Sequence, residues 1–142
     1  MLCSFPITDV TASGSEHSTL GASVKEAAGR LHFDISPDPR PDMVIFIRSD
    51  QYSFVKEGIP AVFLSTGFKS MDPKIKPGEI LQTWMQTLYH QPQDDMSQPF
   101  DFESGTKFAR YGYLVGYVVA SKDDRPAWNR GDFFGEHYGK NH

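Results

Sequence analysis

The sequence has little of what marks several common protein classes. Its single cysteine, Cys3, cannot form a disulfide within the chain, and no spaced set of cysteines and histidines indicates a structural zinc site. No apolar run approaches the roughly 18 residues that predict a membrane span. Acidic residues outnumber basic ones by 18 to 14, so the net charge is -4 and a nucleic-acid partner is not expected. Residues 1–6 also lack the basic and apolar regions of a secretory signal.

Hydrophobic spacing predicts two helices in a chain long enough, at 142 residues, for one domain with a sizeable core. The first helix is expected to begin near Ser15, and its apolar face is formed by Leu20, Val24, Ala27, Ala28 and Leu31. The second is expected to begin after Asp101, with an apolar face formed by Phe108, Tyr111, Val115, Val118 and Val119.

Two short apolar runs, residues 43–47 and 61–64, predict buried strands with a short helix between them. This order indicates a covered α/β sheet. Prolines and glycines interrupt residues 66–95, where only residues 80–88 predict a turn or two of helix. An irregular connection of this length is usually functional or disordered. The tail, residues 123–142, has no periodicity and is expected to wrap the surface.

Residues 89–95 are the strongest local candidate for chemistry. His90 lies on a predicted loop after a core strand, where α/β enzymes often place functional groups, and imidazole is a common metal ligand. Tyr89 can donate a hydrogen bond to a developing oxyanion, and Asp94 or Asp95 can orient the imidazole. Composition alone favours the structural alternative, in which His90 is a partly exposed loop residue and an aspartate caps a turn.

A second candidate cluster, residues 48–54, follows the first predicted strand, at the kind of position where open sheets bind ligands. Asp50 has an equally good structural explanation there, because a carboxylate in the first turn of a helix complements its dipole. The adjacent Glu16 and His17 diverge on a helix, so a capping role is favoured over metal ligation. No serine-protease elbow, phosphate loop or nucleotide fingerprint is present.

Taken in order, these segments resemble the C-terminal half of a co-catalytic zinc peptidase family. That family includes bacterial leucyl aminopeptidases and glutamate carboxypeptidase II. Residues 49–54 resemble the family's Ser-Asp-His-x-x-Phe motif, and residues 58–61 resemble its Gly-x-Pro-Ala motif. Residues 66–67 resemble its Thr-Gly motif, and residues 89–94 resemble its Tyr-His motif, which has an acid four residues after the histidine. The resemblance extends from about residue 13 to residue 117. Each motif alone is weak, but their shared order is fairly specific.

The resemblance implies a fold and a set of roles. The fold is the C-terminal portion of a three-layer α/β/α sandwich with a mostly parallel or mixed sheet, and residues 1–142 form a single partial domain. His90 is implied to be the last zinc ligand, Tyr89 to stabilise the tetrahedral intermediate, and Asp94 to support the ligand. The residues implied to lie near the N-terminal side chain of a peptide or aminoacyl substrate are Arg48, Ser49, Asp50 and Phe68.

Three departures from the family pattern limit what the resemblance implies. Gln51 replaces the usual histidine, and residues 68–88 are longer than the usual turn, as a lid or a specificity loop would be. The upstream ligands and the general-base glutamate of the two-zinc site are absent, and one imidazole cannot hold a pair of metals about 3.5–4 Å apart. Met1 resembles the methionine of the family's Asn-x-Asp-Met step, so we expect a chain truncated just past that ligand.

We therefore expect the C-terminal portion of a zinc aminopeptidase that is inactive alone and whose partner is the N-terminal half of the same protein. One alternative is a stand-alone binding or interaction module that keeps the fold without catalysis. Another is an unrelated α/β hydrolytic domain that uses His90, Asp50 and Asp94 at one metal. The chain itself assigns no compartment, although parent enzymes of this family are often periplasmic or secreted.

Overall fold

A mixed three-stranded sheet organises the computed structural model, which describes residues 4–139. The strands, in the spatial order β2-β1-β3, are β1 (Asp9–Ser13), β2 (Asp34–Ile35) and β3 (Phe63–Thr66). The central strand β1 pairs in parallel with β2 and antiparallel with β3, so that Val10 lies opposite both Ile35 and Thr66. The predicted α/β class is confirmed. Met1 and Cys3 lie outside the described residues.

Six α-helices are found within residues 4–139. They are α1 (Leu20–Arg30), α2 (Ile45–Arg48), α3 (Tyr52–Lys56), α4 (Pro77–Thr87), α5 (Phe102–Ala120) and α6 (Phe133–Tyr138). Two 3-10 turns, Ser15–His17 and Pro41–Met43, precede α1 and α2. None of the helices in this part of the chain combines the length and the apolar character that crossing a membrane requires.

The hydrophobic core lies where β1, α1 and α5 meet. Its buried members are Phe5, Ile7, Val10, Ala12, Val24, Ala27, Ala28, Phe33, Tyr111 and Val115. Both predicted helical faces are confirmed by this core. The start of α1 was placed too early, because the extended backbone of Ser18 (φ -148°, ψ 173°) separates the Ser15–His17 turn from α1. The predicted cap of α5 is confirmed, since the Asp101 carboxylate accepts hydrogen bonds from the backbone of Glu103 and Ser104.

The strand predicted at residues 43–47 is wrong. This segment forms the end of the Pro41–Met43 turn and the first three residues of α2, with Val44 in the left-handed region (φ 48°) between them. Phe46 packs against His17 and Phe134, with ring centroids 5.3 and 5.1 Å apart, instead of entering the sheet. A short apolar run does not distinguish a strand from a buried helix, and here tertiary contacts decide.

Two further boundaries and one element differ from the sequence prediction. The second predicted strand, β3, begins two residues later than expected, at Phe63, and α4 is a full helix over Pro77–Thr87. The tail does lie on the surface, but it contains α6. Its attachment is specific: Trp128 Nε1 donates to the Gly58 carbonyl at 2.9 Å, and the hydroxyl groups of Tyr138 and Tyr52 lie 2.9 Å apart.

Candidate functional site

A cavity of about 300 Å³ lies between the sheet and α4. Residues of β1 and β3 line it on the side of the sheet, namely Thr11, Ser13, Phe63, Ser65 and Thr66. Five residues of α4 also line it, namely Pro77, Ile80, Leu81, Trp84 and Met85. Most of the remaining lining comes from loops. The surface is predominantly apolar, and its polar part comes from the sheet hydroxyl groups and from two charged residues of opposite sign, Asp38 and Arg40. The Asp38 carboxylate accepts a hydrogen bond from the backbone N–H of Arg40 at 2.8 Å.

The turn after β3 is held in place by a buried carboxylate. Asp9 is fully buried in β1, and its side chain accepts hydrogen bonds from the backbone N–H of Phe68 at 3.2 Å and of Lys69 at 2.8 Å. Gly67 donates its own N–H to the Asp9 carbonyl at 2.8 Å. A Cβ atom at position 67 would collide with the Asp9 carboxyl group, so this close approach requires glycine. The arrangement places Phe68 at the cavity.

The structure brings three of the predicted site residues together at this cavity, namely Ser49, Phe68 and Tyr89. Arg48 and Asp50 flank Ser49 in sequence but do not line the cavity. Arg48 is exposed and donates to the Met43 carbonyl at 3.5 Å, and Asp50 is exposed just before α3. The predicted substrate-binding residues therefore divide into a cavity pair, Ser49 and Phe68, and an exposed pair.

Tyr89 and His90 follow the end of α4, and their rings are stacked. The backbone N–H of Tyr89 donates to the Trp84 carbonyl at 2.9 Å, and the two rings lie 4.8 Å apart. The His90 ring stacks on Tyr89 with a centroid distance of 3.8 Å. His90 adopts a left-handed conformation (φ 59°) and is exposed. The predicted metal ligand is therefore connected to the cavity through Tyr89 and Trp84.

The two aspartates of this loop form contacts of their own. Asp94 accepts a hydrogen bond from Gln98 Nε2 at 2.6 Å, and no hydrogen bond joins it to His90 within residues 4–139. Hydrogen bonds from Ser97, first from its side chain and then from its backbone, hold the pKa of Asp95 below its ordinary value. Both carboxylates stabilise the local turn structure, as the structural alternative for this loop predicts.

The described residues do not fit a zinc ion by themselves. No group of three or more histidine, cysteine, aspartate or glutamate side chains within residues 4–139 is placed to hold a metal. A catalytic zinc typically has three protein ligands, and the sequence predicts only one here, His90. Asp50 and Asp94 do not join it, so the single-metal alternative with these three residues is not supported by this structure.

Sequence reasoning missed Asp9, Trp84 and the contacts of His17. The Nδ1 atom of His17 lies 2.6 Å from Asp132, a residue of the tail that also caps α6, so His17 joins the tail to the Ser15–His17 turn. Asp9 was overlooked because β1 itself was not predicted. Trp84 stood in a stretch that predicted only a short helix, and nothing local indicates that its ring meets a cavity.

The family model of Peptidase family M28 matches residues 3–114, well over half of the chain. The chain belongs to peptidase family M28. The M28 match covers every predicted site residue, the sheet and α4, and it ends within α5. Neither a curated protein nor a solved structure matches the chain significantly. The M28 match confirms, at the level of the family, the resemblance found in the motifs. M28 peptidases are generally zinc-dependent.

Proposed function

We propose that this chain is the portion of a zinc-dependent aminopeptidase that binds the N-terminal residue of a peptide substrate. The observation that carries the proposal is the cavity, where Ser49, Phe68 and Tyr89 meet although they are far apart in sequence. Ser49 and Tyr89 belong to two separate motifs of the family resemblance, and Phe68 directly follows a third, Thr66-Gly67. Their convergence on one apolar cavity supports binding of an uncharged N-terminal side chain there.

Tyr89 and His90 are the proposed link between binding and chemistry. The Tyr89 hydroxyl is proposed to donate a hydrogen bond to the oxyanion of the tetrahedral intermediate, and His90 to be a zinc ligand. Support for this pairing comes from the ring stack, which places His90 directly beside a cavity residue. Arg48 and Asp50 are exposed, so a role in substrate binding would involve the peptide beyond its first residue. Asp94 already accepts a hydrogen bond from Gln98 on one carboxylate oxygen, so a supporting contact to His90 would use the other oxygen.

The two-zinc chemistry of the aminopeptidase requires donors that residues 4–139 do not group together. We propose that the remaining ligands and the general base come from another part of the parent protein, the expected N-terminal half. On this proposal residues 1–142 are one partial domain, and the chain alone does not turn over substrate.

Metal content and turnover of the isolated chain test this proposal. We expect well under two bound zinc ions for each chain, because only one proposed ligand is present, and no hydrolysis of leucine p-nitroanilide. Elemental analysis after dialysis and an absorbance assay provide the measurements. Turnover by a chain that holds two zinc ions would show that the site is complete and that the proposal is wrong.

The role of His90 is tested separately with a matched pair of variants. His90→Ala should lower any residual zinc binding, whereas His32→Ala should leave it unchanged. His32 is a close control because it is also exposed and also left-handed (φ 56°). Equal zinc binding by both variants would remove His90 from the proposed ligand set.

A non-catalytic binding module is the second candidate function, and one observation favours it: within the described residues no metal-holding group is present, while the cavity is formed. The two candidates differ in what adding the rest of the parent protein does. If the coding sequence upstream contains a His-x-Asp and a Glu-Glu in frame, co-expression should restore turnover. A binding module would bind peptide without ever gaining activity.

A further inference from the structure

Helix α4 belongs to the segment that is longer than the family pattern, and it supplies a large share of the cavity lining. The motifs of the family resemblance therefore do not account for this side of the cavity. The inference below rests on the proposed function, since it concerns the ligand that the cavity binds.

Trp84 is the residue of α4 whose side-chain hydrogen-bond donor lacks an acceptor. Only 9% of its surface is exposed, and its Nε1–H has no hydrogen-bond partner among residues 4–139. A buried donor without a partner has lost its hydrogen bonds to water without replacement, so native proteins rarely leave one without a reason. Because Trp84 also lines the cavity, a ligand there is a natural source of the acceptor.

The second tryptophan of the chain shows the contrast. Trp128 Nε1 donates to the Gly58 carbonyl at 2.9 Å, so its indole N–H is satisfied within the protein. The chain contains these two tryptophans and no others. One indole donor is thus used for the fold, and the other is buried at a cavity without a protein acceptor.

The size and lining of the cavity limit the class of ligand. A volume of about 300 Å³ is at the lower end of the range for small-molecule pockets, which suits one amino-acid residue better than a longer segment. Apolar side chains such as Phe63, Phe68 and Leu81 dominate the lining and favour a bulky apolar residue. The two charged lining residues, Asp38 and Arg40, have opposite signs, so they add no net charge to the cavity.

We propose that Trp84 is a specificity-determining residue of this site. Its ring packs against a bulky apolar N-terminal side chain, and its indole N–H donates a hydrogen bond to a carbonyl oxygen of the same ligand. The ligand class is a peptide or aminoacyl amide whose first residue is large and apolar. Ring contacts from Trp84 to Tyr89 and from Tyr89 to His90 then connect this residue with the proposed metal ligand.

Nuclear magnetic resonance of the full 142-residue chain tests the proposal, because each tryptophan gives one indole N–H signal. On titration with L-leucinamide or L-phenylalaninamide, the Trp84 signal should shift and saturate, and the Trp128 signal should stay in place. L-Alaninamide and L-lysinamide should bind at least several-fold more weakly. Absence of binding by the apolar amides, or equal movement of both indole signals, would overturn the proposal.

Matched variants separate the hydrogen bond from the packing. Trp84→Phe keeps an aromatic ring without the N–H and should weaken amide binding about two- to tenfold, the value of one hydrogen bond. Trp84→Ala should weaken it further, and Trp128→Phe should bind as the parent chain does. An unchanged Trp128 signal in Trp84→Phe verifies folding. Wild-type affinity in that folded variant would show that the indole N–H takes no part.

The binding measurement needs neither metal nor turnover. Failure of the Trp84 proposal can therefore be distinguished from failure of the proposed function. Amide binding with a shift of the Trp84 signal, but no peptidase activity after reconstitution, would support the Trp84 proposal and contradict the aminopeptidase proposal. Peptidase activity after reconstitution, with unaltered selectivity in Trp84→Phe, would support the aminopeptidase proposal and contradict the Trp84 proposal.

Discussion

At the scale of single residues, Asp9 and Gly67 determine the position of the cavity turn. The Asp9 carboxylate is buried in β1, and the backbone N–H groups of Phe68 and Lys69 satisfy it. Hydrogen bonds to a charged group contribute about 1.5–3 kcal/mol each. No sequence pattern predicts this arrangement, because it joins a strand to a turn nearly sixty residues later.

A pair of glycine substitutions tests that close approach. Gly67→Ala should lower the free energy of unfolding by about 1–3 kcal/mol, because its Cβ would displace the Asp9 carboxyl group. Gly78→Ala in α4 should instead be neutral or stabilise by up to about 1 kcal/mol, since nothing lies near its Cβ and alanine favours helix. Urea unfolding measures both. A stable Gly67→Ala variant would contradict the described turn.

At the scale of elements, the periodic segments were predictable and the irregular ones were not. The apolar faces of α1 and α5 recur at helical spacing, and the core confirms both. The run at residues 43–47 carries no such period, so its helical state is decided by contacts of Phe46 with His17 and with Phe134 of the tail. For the site, the family resemblance predicted Ser49 and Phe68 near the substrate, together with Arg48 and Asp50, and Tyr89 beside the tetrahedral intermediate. Trp84 could be found only from the tertiary structure.

The start of α5 offers a test at this scale. Asp101 accepts hydrogen bonds from the N–H groups of Glu103 and Ser104, and the Ser104 hydroxyl in turn accepts one from the Ile7 N–H at 3.1 Å. Asp101→Ala should therefore destabilise the chain by about 1–2 kcal/mol, and Asp101→Asn by less, because asparagine also caps helices well. Equal losses in the two variants, measured by urea unfolding, would show that the cap hydrogen bonds are not responsible.

At the scale of the whole molecule, burial of Tyr111 makes the free energy of unfolding depend on pH in the alkaline range. Burial raises the pKa of this tyrosine to about 12, and its hydroxyl has no hydrogen-bond partner within the described residues. Below pH 10, the ordinary pKa of tyrosine, the hydroxyl is protonated in both the folded and the unfolded chain. Between about pH 10 and 12 the unfolded chain ionises first, so stability falls over that window.

Removing the hydroxyl should flatten this profile. Tyr111→Phe is expected to be as stable as the parent chain at pH 7, or up to about 1 kcal/mol more stable, because it removes an unpaired buried polar group. Above pH 10 it should lose less stability than the parent. Tyr113→Phe, at an exposed position of the same helix, controls for the general effect of tyrosine loss. Parallel pH profiles for parent and Tyr111→Phe in thermal unfolding would be the contradicting result.

The close contact between Asp9 and Gly67 also has an evolutionary consequence. The turn that carries Phe68 into the cavity is tied to the central strand, so substitutions there change fold stability together with the shape of the pocket. Two of the α4 residues that line the cavity, Leu81 and Met85, are only partly buried and lie outside the hydrophobic core. New substrate preferences can therefore arise by mutation at these two positions at less cost to the fold than by mutation in the turn.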